Sequence, residues 1–344
     1  MKTALIGLGR IGWYYHLKQI LSHEGFDLCA VADTSQERLD EANTLYGVQG
    51  YTDYNQMLSD SKPELVVIAS PTSFHKEHAI TAMKAGAHVL LDKPMALDYA
   101  EACAIAQTSQ QTGRKLIIYQ PHRFSSAALA AKAILASGKL GAPTLLRTTD
   151  QGYARRNDWQ AFRKFGGGMR NNYGAHYIDQ LLHLSQSNVV DCHCYAQRIL
   201  SMGDADDVAH ILMRTENGIV LEADINQATS IPDAPMKLCG THGSAVYTID
   251  PDGDYFLLKY CDPDTLQKKV VSADLAAADR RYPNDSVQWI TEKIPLSDFP
   301  EADFYAACAP YFFEDAPSPI PVEETLRVME LIGLCYAQNE QFLK

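Results

Sequence analysis

The chain has 344 residues, 46% hydrophobic and 21% charged, with a formal net charge of −12 at pH 7. That length allows two domains with well-buried cores. The acidic balance argues against a nucleic-acid partner, which wants a basic face, and no apolar run approaches membrane-spanning length. The chain opens on a strand-like run rather than a leader peptide, and its eight cysteines hold no CxxC pair, so a reducing cytoplasm is expected. Cys192 and Cys194 flank His193 with both thiols on one strand face and the imidazole on the other, which is poor metal geometry.

Residues 1–6 (MKTALI) read as a strand, followed at once by GLGRIG at 7–12, an amphipathic stretch from Trp13, and a second apolar run at 28–32 ending on Asp33. Strand, glycine turn, helix, strand and acid is the order a dinucleotide site requires. Gly7 takes the tight turn, Gly9 lets a pyrophosphate approach the backbone, and Gly12 lets the helix pack on the strand. The helix N-terminus turns its free N–H groups toward the phosphates. Asp33 is placed to accept from an adenosine ribose. A 2′-phosphate beside it meets a like charge, worth up to about 4 kcal/mol at 4 Å and an effective dielectric near 20. Residues 34–37 offer no cation, and Arg38 reads as a solvated helix residue, so NAD(H) is favoured over NADP(H).

The alternation continues to residue 121. Thr34 and Glu37 look like a capping box for a helix closed by Gly47, and Asp53 caps another. A buried strand at 65–69 leads through a loop at 71–75 to a helix at 75–85. A strand at 88–91 runs into Asp92-Lys93-Pro94, a helix capped by Asp98 ends at Gly113, and 115–119 is one more strand. Strands alternating with helices imply a doubly wound parallel sheet with its ligand at the strands' carboxyl ends, where Gly7, Asp33, Pro71 and Lys93 fall.

After Pro121 the pattern changes. A helix near 127–135 leads to strands at 144–149 and 189–199, Asn217-Gly218 signals a hairpin, and a second hairpin turns at His242-Gly243, with strand-like stretches on to 294. The expected fold is therefore α/β: a dinucleotide-binding domain over residues 1–121, then an α+β domain over 122–344 with a large, mostly antiparallel, open-faced sheet. The last helix, 322–342, suits either domain. An open sheet face suggests a homodimer or homotetramer.

Gly166-Gly167-Gly168 precedes a helical stretch at 169–184 on which Asn172, His176, Asp179 and His183 share a face. A polar stripe on an otherwise apolar helix needs partners. His176, Asp179 and His183 have spacing that a metal accepts, but no further ligand motif accompanies them, so substrate is favoured and no metal is expected.

These stretches resemble the Gfo/Idh/MocA family: GLGRIG at 7–12, VVIASPTSFH at 66–75, AGAHVLLDKP at 85–94 and GGGMRNNYGAHYID at 166–179. The resemblance implies a Rossmann domain, a C-terminal domain with an open sheet, and NAD(P)-dependent oxidation or reduction of a sugar, cyclitol or related polyol. It places the cofactor on Gly7, Gly9, Arg10, Ile11, Gly12, Asp33, Ser70, Pro71, Thr72, His75, Asp92 and Lys93. The lysine of the family's Glu-Lys-Pro motif falls on Lys93 and its helix histidine on His176. Two positions depart from the pattern: the motif glutamate is Asp92, and the aspartate that pairs with the histidine is Asn172, an amide that cannot take a proton.

The expected catalytic residues are His176 as general base, Lys93 polarising the reacting oxygen, and Asn172 orienting substrate. Arg123, Tyr153, Arg163, Arg170 and Asp179 are further pocket candidates; Arg163 or Arg170 in the pocket favours an acidic sugar. Two rival readings stand beside this one. One is a redox-neutral sugar enzyme with tightly bound NAD; the other is a non-catalytic dinucleotide sensor.

Overall fold

The computed structural model describes residues 1–266, 268 and 286–339. The first sheet has six strands, β1 (Lys2–Ile6), β2 (Asp27–Ala32), β3 (Gln49–Tyr51), β4 (Leu65–Ile68), β5 (His88–Leu91) and β6 (Leu116–Ile118). All pair in parallel in the order β3-β2-β1-β4-β5-β6. A π-helical turn at Gly12–His16 runs into α1 (Leu17–Ser22). Then come α2 (Gln36–Tyr46), α3 (Tyr54–Ser61), α4 (His75–Lys84) and α5 (Tyr99–Thr112), each between two strands.

Strand alternation sorts this sheet's residues into two cores. Ala4, Ile6, Val66, Ile68, Val89 and Leu91 belong to one, with Met57, Ala79, Met83 and Ile105 from α3, α4 and α5. Leu5, Val31, Val67, Leu90 and Ile117 belong to the other, with Leu17 and Ile20 of α1 and Leu39 of α2. The strand order reverses between β1 and β4, which opens a crevice at their carboxyl ends.

Helix α6 (Ser126–Ala136) leads into the second sheet, formed by β7 (Pro143–Gln151), β8 (Val189–Gln197), β9 (Val208–Thr215), β10 (Val220–Asn226), β11 (Met236–Gly240), β12 (Gly243–Thr248), β13 (Tyr255–Tyr260) and β14 (Ile290–Pro295). Its order is β14-β13-β12-β11-β7-β10-β9-β8, antiparallel except where β10 runs parallel to β7. Between β7 and β8 lie α7 (Met169–Asn172) and α8 (Gly174–Ser185); α9 (Phe304–Glu314) and α10 (Val322–Asn339) follow β14. Helix α8 packs on β7 and β10, and α10 packs on β8. The opposite face presents Tyr195, Leu212, Lys237 and Leu257, all exposed. No described helix is long and apolar enough to cross a membrane. The expected α/β class and both hairpins are present.

Three details differ from expectation. The N-cap of α2 is Ser35, whose hydroxyl accepts from Arg38 N–H at 3.5 Å, rather than Thr34. The helix expected over 169–184 is broken at Tyr173. Helix α9, which the strand and helix patterns did not flag, fills the second core of the first sheet with Phe304, Tyr305, Cys308 and Phe312. Helix α10 touches α8 and β8 as well as α5 and β6, so it bridges both sheets. Part of the strand-like run expected up to 294, and residues 340–342 of the last helix, lie outside the described residues.

Candidate active site

The glycine turn after β1 is built by close approach. Gly7 has φ +96° and donates its N–H to Ala32 O at 2.8 Å; a Cβ there would lie 2.7 Å from the Ala69 carbonyl carbon. A Cβ on Gly12 would lie 1.9 Å from Gly7 O. Gly9 differs, since a Cβ there would meet nothing within 4 Å. Gly7 and Gly12 therefore hold the turn on the sheet while Gly9 keeps its outer side bare. That bare side opens on a cleft of about 960 Å³, whose lining includes Gly7, Gly9, Arg10, Ile11, Asp33, Ser70, Pro71 and Thr72. Smooth backbone beside a helix N-terminus fits a pyrophosphate, so these residues suit the nicotinamide dinucleotide that the sequence implies.

Asp33 closes β2 at the same cleft. Its carboxylate accepts from Leu8 N–H at 2.7 Å and Ser35 N–H at 2.9 Å. Arg38, expected to be merely solvated, instead lies 3.4 Å from Asp33 Oδ2 and lines the cleft. Its place on the first turn of α2 turns it back over the end of β2.

At the far end of the cleft, β5 delivers Asp92 and Lys93, the latter joined to Pro94 by a cis peptide bond. Asp92 is buried and accepts from Lys93 N–H at 2.8 Å; burial raises its carboxyl to about 6. Lys93 Nζ donates to Asn172 O at 3.0 Å and Asn172 Oδ1 at 2.7 Å. An ammonium has three protons, so one remains for a ligand. Burial lowers Lys93 to about 8; Asp92 opposes that fall, and Arg156 and Arg10 add to it. Asn172 thus serves Lys93 rather than pairing with His176, and its Nδ2 donates to Gln160 Oε1 at 3.2 Å.

His176 takes its partner from another strand. Gln120, just past β6, donates Nε2–H to Ala175 O at 3.1 Å, which leaves Gln120 Oε1 as the acceptor 2.9 Å from His176 Nδ1. Nδ1 must then carry the proton and Nε2 the lone pair. The His122 ring stacks on His176 at 3.9 Å with 8° between planes. Burial holds the His176 imidazole well below its ordinary pKa, with Lys93 and His122 adding to the effect. Burial likewise lowers His122, to about 4. The near-neutral imidazole expected from an unperturbed pKa is therefore a neutral base.

Several sequence candidates lie outside the cleft lining. Arg123 and Asp179 form a buried bidentate pair, both bonds at 2.6 Å, and Arg123 also reaches Glu324 of α10 at 2.6 Å. His183 sits beside that pair, 3.4 Å from Arg123 Nη1. Arg170 is fully buried, with Asp206 at 3.0 Å and the Tyr336 ring 3.7 Å from its guanidinium. Arg163 lies 5.9 Å from that same ring, and its backbone N–H is held by Asp204 at 2.8 Å. Tyr153 is 65% exposed and pairs through its backbone with Ala228. His75 is buried, its nitrogens at 2.9 Å from the Pro94 and Ser70 carbonyl oxygens, so it braces the two strand ends rather than facing the cleft. Gly12 is likewise a packing residue.

Gln120, buried beside His176, and His122, Arg156, Gln160 and Tyr173, which line the cleft, were not anticipated. The first two follow β6, where the rule that exposed Lys93 gives their position but not their partners; Arg156 sits on an irregular loop and Gln160 in a 3-10 turn at Trp159–Ala161, neither with a sequence signal. Among the described residues, no group of three or more His, Cys, Asp or Glu is arranged to hold a metal.

Two family models cover most of the chain. An oxidoreductase family described as having an NAD-binding Rossmann fold matches residues 1–120, and a GFO/IDH/MocA C-terminal domain matches residues 128–246. A 1-carboxy-3-chloro-3,4-dihydroxycyclohexa-1,5-diene dehydrogenase of Comamonas testosteroni is 28% identical over 223 residues, 64% of this chain and only 56% of that protein. A scyllo-inositol 2-dehydrogenase (NAD(+)) of Bacillus subtilis is 26% identical over 253 residues, 71% of this chain and 72% of the relative. The crystal structure of an NAD-binding protein from Listeria innocua shares the fold, with a TM-score of 0.83 at 24% identity over 98% of this chain and 97% of that one. With the parallel sheet, its glycine turn and both domain matches in hand, the chain belongs to the Gfo/Idh/MocA family of oxidoreductases.

Proposed function

We propose that the protein is an NAD(H)-dependent dehydrogenase or reductase acting on a secondary hydroxyl or keto group of a sugar, cyclitol or related polyol. The observation that carries this reading is a single cleft with a glycine turn, bare at Gly9, at one end and the Lys93–Asn172 and His176–Gln120 pairs at the other. Relatives named for a cyclitol and for a dihydroxylated ring support a ring bearing adjacent hydroxyls.

A bound nicotinamide supplies or accepts the hydride, which no side chain can do. The protein manages the proton. In alcohol oxidation, Nε2 of His176 takes the hydroxyl proton, and the Gln120 oxygen holds the Nδ1–H that fixes this tautomer. The free proton of the Lys93 ammonium donates to the same oxygen and stabilises the negative charge that grows there. Asn172 fixes that ammonium at two points, so an amide suffices where a carboxylate would raise the lysine's pKa. In reduction each transfer runs backwards. The exposed sheet face is proposed to seat a second copy, giving a homodimer or homotetramer.

The test is NADH formation from NAD⁺ with a panel of polyols and sugar acids. His176→Ala is expected to lower kcat by about 10²–10⁴-fold while dinucleotide binding, followed calorimetrically, persists. Unchanged turnover in that variant would overturn the assignment; transformation of substrate without net NADH would favour the redox-neutral reading.

A further inference from the structure

The substrate end of the cleft carries a cation that the proton chemistry does not use. Arg156, on the loop after β7, lines the cleft with its side chain 25% exposed. Asp158 grips one edge of its guanidinium, accepting from Nε at 3.2 Å and from Nη2 at 2.5 Å. The same carboxylate accepts from Gln160 N–H at 3.1 Å, which ties it to the turn at Trp159–Ala161. That clamp uses two of the five guanidinium N–H donors. The Nη1–Nη2 edge, which presents two parallel N–H bonds, has no protein partner among the described residues. Its charge is felt at the reacting centre, since Arg156 deepens the fall in the Lys93 pKa. The acids at this end are already engaged: Asp158 holds Arg156, and buried Asp92 holds Lys93 N–H at 2.8 Å. What remains for a ligand is a set of donors carrying positive charge.

We infer that the substrate is a polyhydroxylated carboxylic acid and that Arg156 seats its carboxylate. The planar fork of the free edge matches a carboxylate in two bonds. Asp158 holds the guanidinium in place beforehand, so little side-chain freedom is lost on binding. Asp158 also sets the charge the site accepts. With one carboxylate already on the guanidinium, a monoanion is balanced, while a phosphate dianion meets a like charge. A neutral hydroxyl on the same edge gains only the weaker bond to an uncharged acceptor. The inference names the substrate class of the dehydrogenase reading above and rests on it.

NADH formation from NAD⁺ tests it with D-glucuronate against D-glucose, quinate against myo-inositol, and glucose 6-phosphate as the dianion. Wild-type kcat/KM is expected to favour the acid of a pair by roughly tenfold or more, the size of a charge-assisted contact. Arg156→Gln should shrink that acid-to-neutral ratio by about the same factor, mainly through KM. Arg156→Lys, which keeps the charge, should restore part of it. The ratio is taken within one preparation, so a partly unfolded variant does not distort it. Calorimetric titration of Arg156→Gln with NADH should show a shift of less than about threefold. A preference for the neutral or phosphorylated sugar overturns the inference while the dehydrogenase reading stands. So does a ratio that Arg156→Gln leaves unmoved, or a loss of NADH affinity as large as the loss for the acid, which would put Arg156 on the cofactor. NADH formation from none of these compounds overturns both.

Discussion

His176 shows how far a residue's chemistry depends on neighbours remote in sequence. Alone it would titrate near neutrality; enclosed and stacked on His122 it stays neutral, and Gln120 decides which nitrogen is basic. Gln120→Glu should place a carboxylate beside Nδ1 and favour imidazolium. Because protonated His176 cannot act as base, the acid limb of kcat/KM for alcohol oxidation should then move to higher pH. Under the proposed proton chemistry Lys93 sets the other limb: its ammonium is lost as pH rises through about 8, so wild-type kcat/KM should fall there. Lys93→Arg, which stays charged, should abolish that fall. A pH–rate profile checks both, and limbs unmoved by either replacement would separate these residues from the proton chemistry. Lys93 and His176 were legible in the sequence because family motifs mark them. Gln120 was not, because its role exists only once β6 and α8 lie side by side.

Among the elements, the segment from 160 to 185 departs most from its sequence pattern. At the run of three glycines before that helix, Cβ atoms would collide with protein: 2.3 Å from Gln160 O at Gly167 and 2.5 Å from Asp206 Oδ1 at Gly168. These glycines let α7 dock on Asp206, which receives both the backbone N–H and the guanidinium of Arg170. That docking breaks the helix at Tyr173 and aims Asn172 at Lys93. Arg170 and Asp206 are both 0% exposed at the side chain. Arg170→Met should therefore cost about 3–5 kcal/mol, since a buried carboxylate loses its partner, and a urea midpoint would show it. A change below about 1 kcal/mol would mean water reaches Asp206. Periodicity gave Asp179 as a pocket candidate because it reports a shared face, not what that face meets. Local capping was easier to read: Asp98 accepts from Glu101 N–H at 2.8 Å, as its spacing implied.

For the molecule as a whole, the first sheet is completed from the far end of the chain. Phe304 packs edge-on against Tyr119 at 4.7 Å between ring centroids, and Tyr305 against Phe26 at 5.3 Å. Each buried aromatic of α9 contributes on the order of 1.5–3 kcal/mol. A fragment of residues 1–121 should consequently bind a hydrophobic dye and melt without cooperativity, while the whole chain melts as a unit. A fragment melting cooperatively at the full chain's temperature would show that α9 adds little.

The sequence by itself determined the parallel sheet, its glycine turn, Asp33, the two hairpins and the lysine and histidine, because each rests on short-range pattern: strand period, turn chemistry or motif spacing. Only the tertiary structure decided that Gln120 serves His176, that Asn172 serves Lys93, that Arg38 reaches Asp33, and that α9 returns to the first core. Those pairings join residues through the packing of separate elements, or through the direction in which a helix turns its side chain, and spacing along the chain encodes neither.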